Sequence, residues 1–306
     1  MNKIPVIIDT DPGVDDCIAL LLALSSEKLD VKAITTLGGN VALKYTSRNA
    51  LNLCNYLGCN IKVAKGADKP LFRELKTAEH VHGMDGLGYA KFEESPYFLY
   101  EKNAVETIYE EAIKNEGNPN LIAIGPLTNV ASLLIVRPDV KDKIKRITIM
   151  GGAISGGNVT PEAEFNIYAD PEAAKIVFES GIPITMVGLD ATEKTFVYKE
   201  EIEKILSRKT KISEQAENLF QSSLNVAKKF GNKGAVIHDA LAIASVIEPD
   251  IIESEYIHVD IETKGEFTLG KTVVDNKKEP NIDVALDADR EKFVHMLEEM
   301  MIKYEV

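Results

Sequence analysis

The feature that most constrains this chain is a recurring alternation, in which short runs rich in β-branched residues give way to stretches of helical periodicity from Ile4 onward. Strand, helix, strand is the sequence form of the βαβ unit, whose strands lie parallel and whose helices cover the sheet. The predicted strands are Ile4–Ile8, Val31–Leu37, Ile61–Ala64, Leu121–Ile124, Ile147–Met150 and Ile184–Leu189, and nearly every one runs into Gly, Asp, Asn or Pro. One intervening helix is legible to its ends: Asp170 as N-cap, Pro171 in the first helical position, and a run through Ser180 that Gly181 closes. Beyond about residue 190 the alternation loosens. There the pattern predicts a long helical stretch over Lys199–Lys229 and a helix from His238 or Asp239 to Ile247. Three β-rich pieces follow, Tyr256–Glu262, Thr272–Asp275 and Ile282–Leu286, and then a C-terminal helix. No repeat, low-complexity linker or composition break interrupts the 306 residues. The expectation is one large α/β domain over 1–306, an open, mainly parallel (mixed) sheet flanked by helices.

Charge narrows the partners. Lys plus Arg number 35 and Asp plus Glu 48, a net charge of −13, so no basic excess exists to displace counterions from a phosphate backbone or an anionic bilayer. Neither nucleic acid nor membrane is expected as a partner. The chain runs from Met-Asn-Lys-Ile-Pro straight into the first strand, without a signal-peptide apolar region or an 18-residue apolar span, so a cytoplasmic location is expected. Cys17, Cys54 and Cys59 form an odd set without a CxxC pair, which fits inert thiols in a reducing compartment.

In an open parallel sheet, ligands bind beyond the carboxyl ends of the strands. Collecting those tips gives Asp9-Thr10-Asp11-Pro12-Gly13-Val14-Asp15-Asp16, Gly38-Gly39-Asn40, Gly125-Pro126-Leu127-Thr128-Asn129, Gly151-Gly152 and Asp190. The first tip places four carboxylates within eight residues, an arrangement that repels itself unless a cation or shared protons compensate. A hard divalent ion such as calcium or magnesium is the natural counterweight. Asp15 and Asp16 also precede the helical run Cys17–Leu24, whose free N–H groups favour negative charge, so an acidic capping loop without an ion is the plain alternative. The Pro12-Gly13 turn, which folds Asp11 back towards Asp15 and Asp16, favours the metal.

Known acidic signatures fit this loop unequally. Counted from Asp9, the sixth and twelfth positions are Val14 and Leu20 where an EF-hand needs Gly and Glu. The Asp9-x-Asp11 pair is similar to that of haloacid-dehalogenase-type phosphatases, but the Pro-Gly-Val-Asp-Asp continuation is foreign to them. No G-x-G-x-x-G follows the first strand, so the dinucleotide fingerprint is absent.

The Asp9–Asp16 segment resembles the N-terminal fingerprint of the inosine-uridine-preferring nucleoside hydrolases. The resemblance extends, in order, through Ile34-Thr35-Thr36, Gly39-Asn40, His80-Val81-His82-Gly83, Gly125–Asn129, Met150-Gly151-Gly152, Glu164-Phe165-Asn166, Asp170–Ala174 and His238-Asp239. It implies a nucleoside hydrolase-like fold and hydrolysis of a ribonucleoside to ribose and free base in nucleoside salvage. It further implies a bound Ca2+ held by Asp11, Asp16, the Ile124 carbonyl and Asp239. Asp15 matches the general base that activates a calcium-held water, with inversion at the sugar. Asn40, Asn158, Glu164 and Asn166 match ribose contacts, Asn158 and Glu164 towards the 5′-hydroxyl. His238 matches the group that meets the leaving base and His82 a base-proximal position, whereas His80, His258 and His295 are expected at the surface or in packing. Met150 and Phe165 are candidates for an apolar wall beside the sugar.

One departure concerns Lys228–Gly234, expected to be mobile above the pocket, with Phe230 closing on the base. Relatives often supply an aromatic hydroxyl there, but a count back from His238 meets no Tyr. A homotetramer or homodimer is implied by resemblance alone. Two competing functions remain: a phosphatase with Asp9 or Asp11 as nucleophile, and a nucleoside-binding protein without catalysis, which would not need Asp15 as a base.

Overall fold

The computed structural model describes residues 3–115 and 118–305. In chain order the elements are β1 (Ile4–Thr10), α1 (Val14–Ser25), β2 (Leu29–Thr36), α2 (Leu43–Leu57), β3 (Lys62–Lys65), α3 (Glu79–His82), α4 (Ala104–Lys114), β4 (Asn120–Ala123), α5 (Thr128–Val136), β5 (Arg146–Met150), α6 (Phe165–Ala169), α7 (Pro171–Phe178), β6 (Ile184–Val187) and α8 (Leu189–Thr192). There follow α9 (Lys199–Leu206), α10 (Ser213–Phe230), α11 (His238–Ile247), β7 (Ile252–Ile257), β8 (Val259–Ile261), β9 (Thr272–Val274), β10 (Ile282–Ala288) and α12 (Arg290–Ile302). Among the described residues no helix is long and apolar enough to cross a membrane.

Eight strands form one sheet in the order β3-β2-β1-β4-β5-β6-β10-β7, all parallel except β7, which runs antiparallel to β10 at one edge. This is the mainly parallel mixed sheet expected. Both faces are covered. One apolar layer unites Leu20 and Leu21 of α1, Leu241 and Ile243 of α11, Phe220 of α10 and Phe293 of α12; the other packs Ile108 of α4, Leu133 of α5 and Val177 of α7. Double coverage explains why strands such as Ile4–Thr10 read as continuous apolar runs rather than alternating ones.

The strand order reverses between β1 and β4: from β1 the chain works outward through β2 and β3, then returns beside β1 as β4 and proceeds the other way. Connections on the two sides leave towards opposite faces, which opens a crevice at the carboxyl ends of this strand pair. The acidic loop follows β1 and Ile124 follows β4, so topology places both at the same mouth.

The six predicted strands fall within two residues of the observed ones, and Asp170 caps α7 by accepting from the Ala173 N–H at 3.1 Å. Two expectations need correction. The single helix over Lys199–Lys229 is broken, because Thr210 and Ser213 satisfy the backbone locally: Thr210 N–H donates to Ser213 Oγ, Ile212 N–H to Thr210 Oγ1, and Ser213 Oγ to the Arg208 carbonyl. Such side-chain bonds compete with the helical ladder. The strand Tyr256–Glu262 is likewise two strands in different sheets: β7 pairs with β10, and β8 forms a two-stranded ribbon with β9. Asn281 stands in for a strand partner at the break, bonding both the N–H and the carbonyl of Val259. All three cysteines are free, with Cys17 and Cys54 buried.

Candidate active site

Pro12-Gly13 ends β1 abruptly and α1 starts at Val14, so Asp15 and Asp16 occupy its first turn. Asp16 closes the turn on itself, accepting from Gly13 N–H at 2.9 Å, Thr10 Oγ1 at 2.6 Å and Asn40 Nδ2 at 2.8 Å. Helix α11, packed against α1, likewise begins at the crevice, with Asp239 in its first turn. Two helix N-termini thus present their positive ends to the carboxylates. Asp11 accepts from the Asn40 backbone N–H at 2.6 Å through Oδ2, while its buried Oδ1 has no partner among the described residues. Its carboxylate lies between two glycines: a Cβ on Gly39 would sit 2.0 Å from Oδ2, and one on Gly125 would sit 2.4 Å from Oδ1. Only glycine fits on either side.

Asp15, Asp16 and Asp239 each bring a carboxylate oxygen within 4.8 Å of the others. Burial raises the pKa of every member, and the neighbouring carboxylates raise Asp11, Asp16 and Asp239 further. For Asp15, burial again dominates, opposed by His238. Such a cluster is held at a cost that protons or a cation must offset. An oxygen-only donor set, with the unpartnered Asp11 Oδ1 beside it, fits a hard divalent cation. The three-residue cluster includes Asp15, which the sequence reading assigned to proton removal, and not Asp11; Asp11 adjoins it closely enough to raise Asp239.

A cavity of about 560 Å³ opens over this cluster, within the range of small-molecule sites. Asp15, Asp239, Ile124, Asn40, Glu164, Asn166, Asn158, Met150, Phe165, His82 and His238 line it, while Asp9, Asp11 and Asp16 do not. Among the described residues no Lys or Arg does either. Asn40 Nδ2 donates to Asp16 and to the Asp11 carbonyl, and Asn166 Nδ2 donates to the carbonyls of Ile124 and Met150, each at 3.1 Å. Both amides therefore have only their oxygens left for a ligand. Asn158 is opposite in sense: its Oδ1 accepts from Phe165 N–H at 2.9 Å, which leaves Nδ2 to donate. Glu164 caps the short α6, receiving the N–H groups of Gly152, Asn166 and Ile167. Burial nevertheless pushes its pKa up to about 7.

His82 Nδ1 accepts from the Val14 N–H at 3.1 Å. The same nitrogen lies 3.8 Å from Asp15, but an atom that accepts from a backbone N–H carries no proton, so this pair is not an ion pair. Burial pushes the His82 pKa down to about 4 and lowers that of His238, whose Nδ1 is 2.8 Å from Thr192 Oγ1. His80, expected at the surface or in packing, is exposed yet lines the cavity rim, because α3 carries both histidines. Lys228–Phe230 form the last turn of α10, which Gly231 closes at φ +74°, rather than a loop; Phe230, 57% exposed, lines the cavity. Ser223, Val226 and Glu193 also line it and were missed from sequence, since only the packing of α10 and α8 brings them there, whereas Asn232 belongs to the Lys228–Gly234 segment expected above the pocket. Asp190, read as a strand tip, accepts from the Ile154 and Ser155 N–H groups at 2.7 and 3.1 Å and so holds the loop that bears Asn158.

A family model of the inosine-uridine preferring nucleoside hydrolases matches residues 6–295. A protein of Citrobacter koseri named pyrimidine-specific ribonucleoside hydrolase RihA is 43% identical, over 98% of this chain and 99% of its own length. Its namesake in Salmonella enteritidis is 44% identical over the same shares. Among solved structures, a plant nucleoside hydrolase superposes with a TM-score of 0.93 at 31% identity, covering 98% of this chain and 99% of that one. A purine-preferring ribonucleoside hydrolase from Gardnerella vaginalis gives 0.92 at 30% identity, covering 97% and 98%.

Proposed function

The chain belongs to the inosine-uridine preferring nucleoside hydrolases and is a ribonucleoside hydrolase; from that premise we propose that it is calcium-dependent, prefers pyrimidine ribonucleosides, and uses Asp15 as the base in an inverting displacement by water. The observation that carries this reading is the buried carboxylate cluster at the floor of a cavity whose other polar groups suit a sugar. Preference for pyrimidines rests on the relatives named pyrimidine-specific, at 43 and 44% identity.

Asp11, Asp16, Asp239 and the Ile124 carbonyl would hold the calcium. Once bound, the ion supplies a Lewis acid that eases proton loss from water and an anchor for the ribose diol. Asp15, at the cavity surface, takes the water proton, and burial favours this by keeping its carboxylate basic. Direct attack on the anomeric carbon needs no covalent carboxylate intermediate and inverts that centre.

The ribose site is rich in acceptors. Asn40 Oδ1, Asn166 Oδ1 and Glu164 receive hydroxyl protons, while Asn158 Nδ2 is the one amide donor left free among these four. Acceptors around the ring favour the positive charge of an oxocarbenium-like transition state, and among the described residues no Lys or Arg lines the cavity to oppose them. Met150 and Phe165 supply the apolar wall, His238 meets the leaving base, and His82 lies beside it. The phosphatase alternative fares poorly: Asp9 is fully buried and bonded to Thr35 and Asn129, and neither Asp9 nor Asp11 is among the residues that line the cavity. A cytoplasmic enzyme of nucleoside salvage, assembled as a homodimer or homotetramer, completes the proposal.

The test is ribose release from uridine, cytidine, inosine, adenosine and guanosine and their 2′-deoxy analogues, with and without a calcium chelator. Chelator-sensitive release from uridine and cytidine ahead of the purines, and little from deoxy analogues, is expected. Equal turnover in chelator would remove calcium from the reading, and faster purine turnover would remove the base preference.

A further inference from the structure

Beside the exposed His80 at the rim, two imidazoles, those of His82 and His238, face the cavity, and the structure specifies which nitrogen of each is free. For His82 the matter is settled by a backbone group: Val14 N–H, one of the N-terminal donors of α1 that no helical carbonyl reaches, points at Nδ1. Neutral His82 must therefore carry its proton on Nε2. For His238 the partner is a hydroxyl, Thr192 Oγ1, 2.8 Å from Nδ1, and a hydroxyl can donate or accept. Its other possible acceptor decides. A helical Thr commonly returns its proton to the carbonyl four residues back, here Gly188, but that oxygen already receives the N–H groups of both Ala191 and Thr192. Thr192 is fully buried, and its hydroxyl has no other hydrogen-bond partner among the described residues. Its proton goes to His238.

We propose that Thr192 is a positioning residue: its hydroxyl donates to His238 Nδ1 and holds the neutral imidazole in the tautomer with the proton on Nε2, the atom left to meet the leaving base. The inference rests on the reading of His238 as the group at the leaving base. It extends that reading to chemistry. With both imidazoles held as Nε2–H donors, the pocket favours a leaving base that offers acceptor atoms, such as the carbonyl oxygens of a pyrimidine. It stabilises the negative charge developing on that base by hydrogen bonding. Nothing in the sequence points to Thr192, 46 residues from His238; α8 brings it there through the turn after β6.

The experiment uses calcium-loaded enzyme with 15N-labelled histidine, whose proton-correlated nitrogen spectrum distinguishes protonated from bare ring nitrogens. Native protein should show both His82 and His238 protonated on Nε2. In Thr192→Val, His238 should lose that preference while His82, held by the backbone, keeps it as an internal reference. Uridine turnover should fall roughly ten- to a hundredfold in kcat, the range for removing the partner that orients a metal-bound histidine, with KM little changed. Thr192→Ser, which keeps the hydroxyl, should restore both spectrum and rate. A riboside with a nitrophenolate leaving group, which needs no donor, should be cleaved by Thr192→Val at nearly the native rate. A native spectrum with the His238 proton on Nδ1 overturns the role of Thr192 while leaving His238 at the base. Equal loss on uridine and the nitrophenyl riboside shows general damage and also overturns it. A shifted tautomer with uridine turnover intact overturns the leaving-group role of His238 and, with it, the proposal.

Discussion

Removing calcium with a chelator and raising the pH from 6.5 to 8 interrogates the carboxylate cluster through folding stability alone. Asp9 and Glu164 are both pushed up to about 7 in the folded protein, chiefly by burial, from ordinary values of 3.8 and 4.5. Where a folded carboxyl holds its proton and the unfolded one has lost it, stability falls as pH rises. A group of pKa 7 releases about 0.6 of a proton-pH unit across this window, which costs about 0.8 kcal/mol for each residue. Histidines act oppositely. His82, at about 4, is neutral when folded and gains about 0.4 kcal/mol as its unfolded counterpart deprotonates; His238, lowered by burial, acts with the same sign. With His238 offsetting part of it, Asp9, Glu164 and His82 leave a net loss on the order of 1 kcal/mol. Asp11 and Asp239, raised well above the usual carboxylate range by burial and then by their acidic neighbours, add to it with the same sign. Surface carboxylates such as Glu110, held low by Lys114 and Lys102, are ionised in both states here and contribute no slope. At roughly 2 °C per kcal/mol, the chelated protein should melt at least about 2 °C lower at pH 8 than at pH 6.5. Saturating calcium holds Asp11, Asp16 and Asp239 ionised and should remove their share of that decline, leaving the share of Asp9 and Glu164, so the stabilisation by calcium grows with pH. Calorimetry at both pH values, with chelator and with calcium, measures the difference. A chelated protein as stable at pH 8 as at pH 6.5 would refute the argument that these carboxyls are buried with raised pKa values.

Three further outcomes are expected. Asp15→Asn should lower kcat by roughly a hundred- to ten-thousandfold, the range for losing a general base, while calcium binding measured by calorimetry stays within about tenfold; near-native turnover would remove Asp15 from the mechanism. Gly39→Ala sets a methyl group 2.0 Å from Asp11 Oδ2 and must break the 2.6 Å bond from Asn40 N–H. At about 1.5–3 kcal/mol for a bond to a charged group, calcium affinity should drop at least about tenfold, and titration showing native affinity would mean that Asp11 does not bind the ion. Asp190→Ala frees the Ile154 and Ser155 N–H groups and loosens the loop that carries Asn158; steady-state kinetics should show KM raised about tenfold with a smaller change in kcat, and an unchanged KM would separate that loop from ribose binding.

Much of the site was legible because chemistry and chain order coincide there. Asp11, Asp15 and Asp16 are sequence neighbours on one strand tip, and Asp239 and His238 open a single readable helix. The elements beyond residue 190 were harder. Thr210 and Ser213 look tolerable in a helix, yet their side chains capture the backbone and split it. His80 had no local feature to set it apart from His295, and only the fold of α3 puts it at the cavity rim.

What the sequence by itself determined is the order of the first six strands, the acidic turn forced by Pro12-Gly13, and the family. These depend on local backbone preferences and on apolar periodicity, which neighbouring residues set. Tertiary structure alone decided which atoms are free to act. Asn40 and Asn166 turn their amide oxygens to the cavity because their nitrogens are spent on Asp16 and on the Ile124 and Met150 carbonyls. His82 bares Nε2 because Val14, 68 residues away, occupies Nδ1. A side chain's donors and acceptors are known from its residue type, but which of them remain for a substrate depends on partners that only the folded chain brings within 3 Å or so.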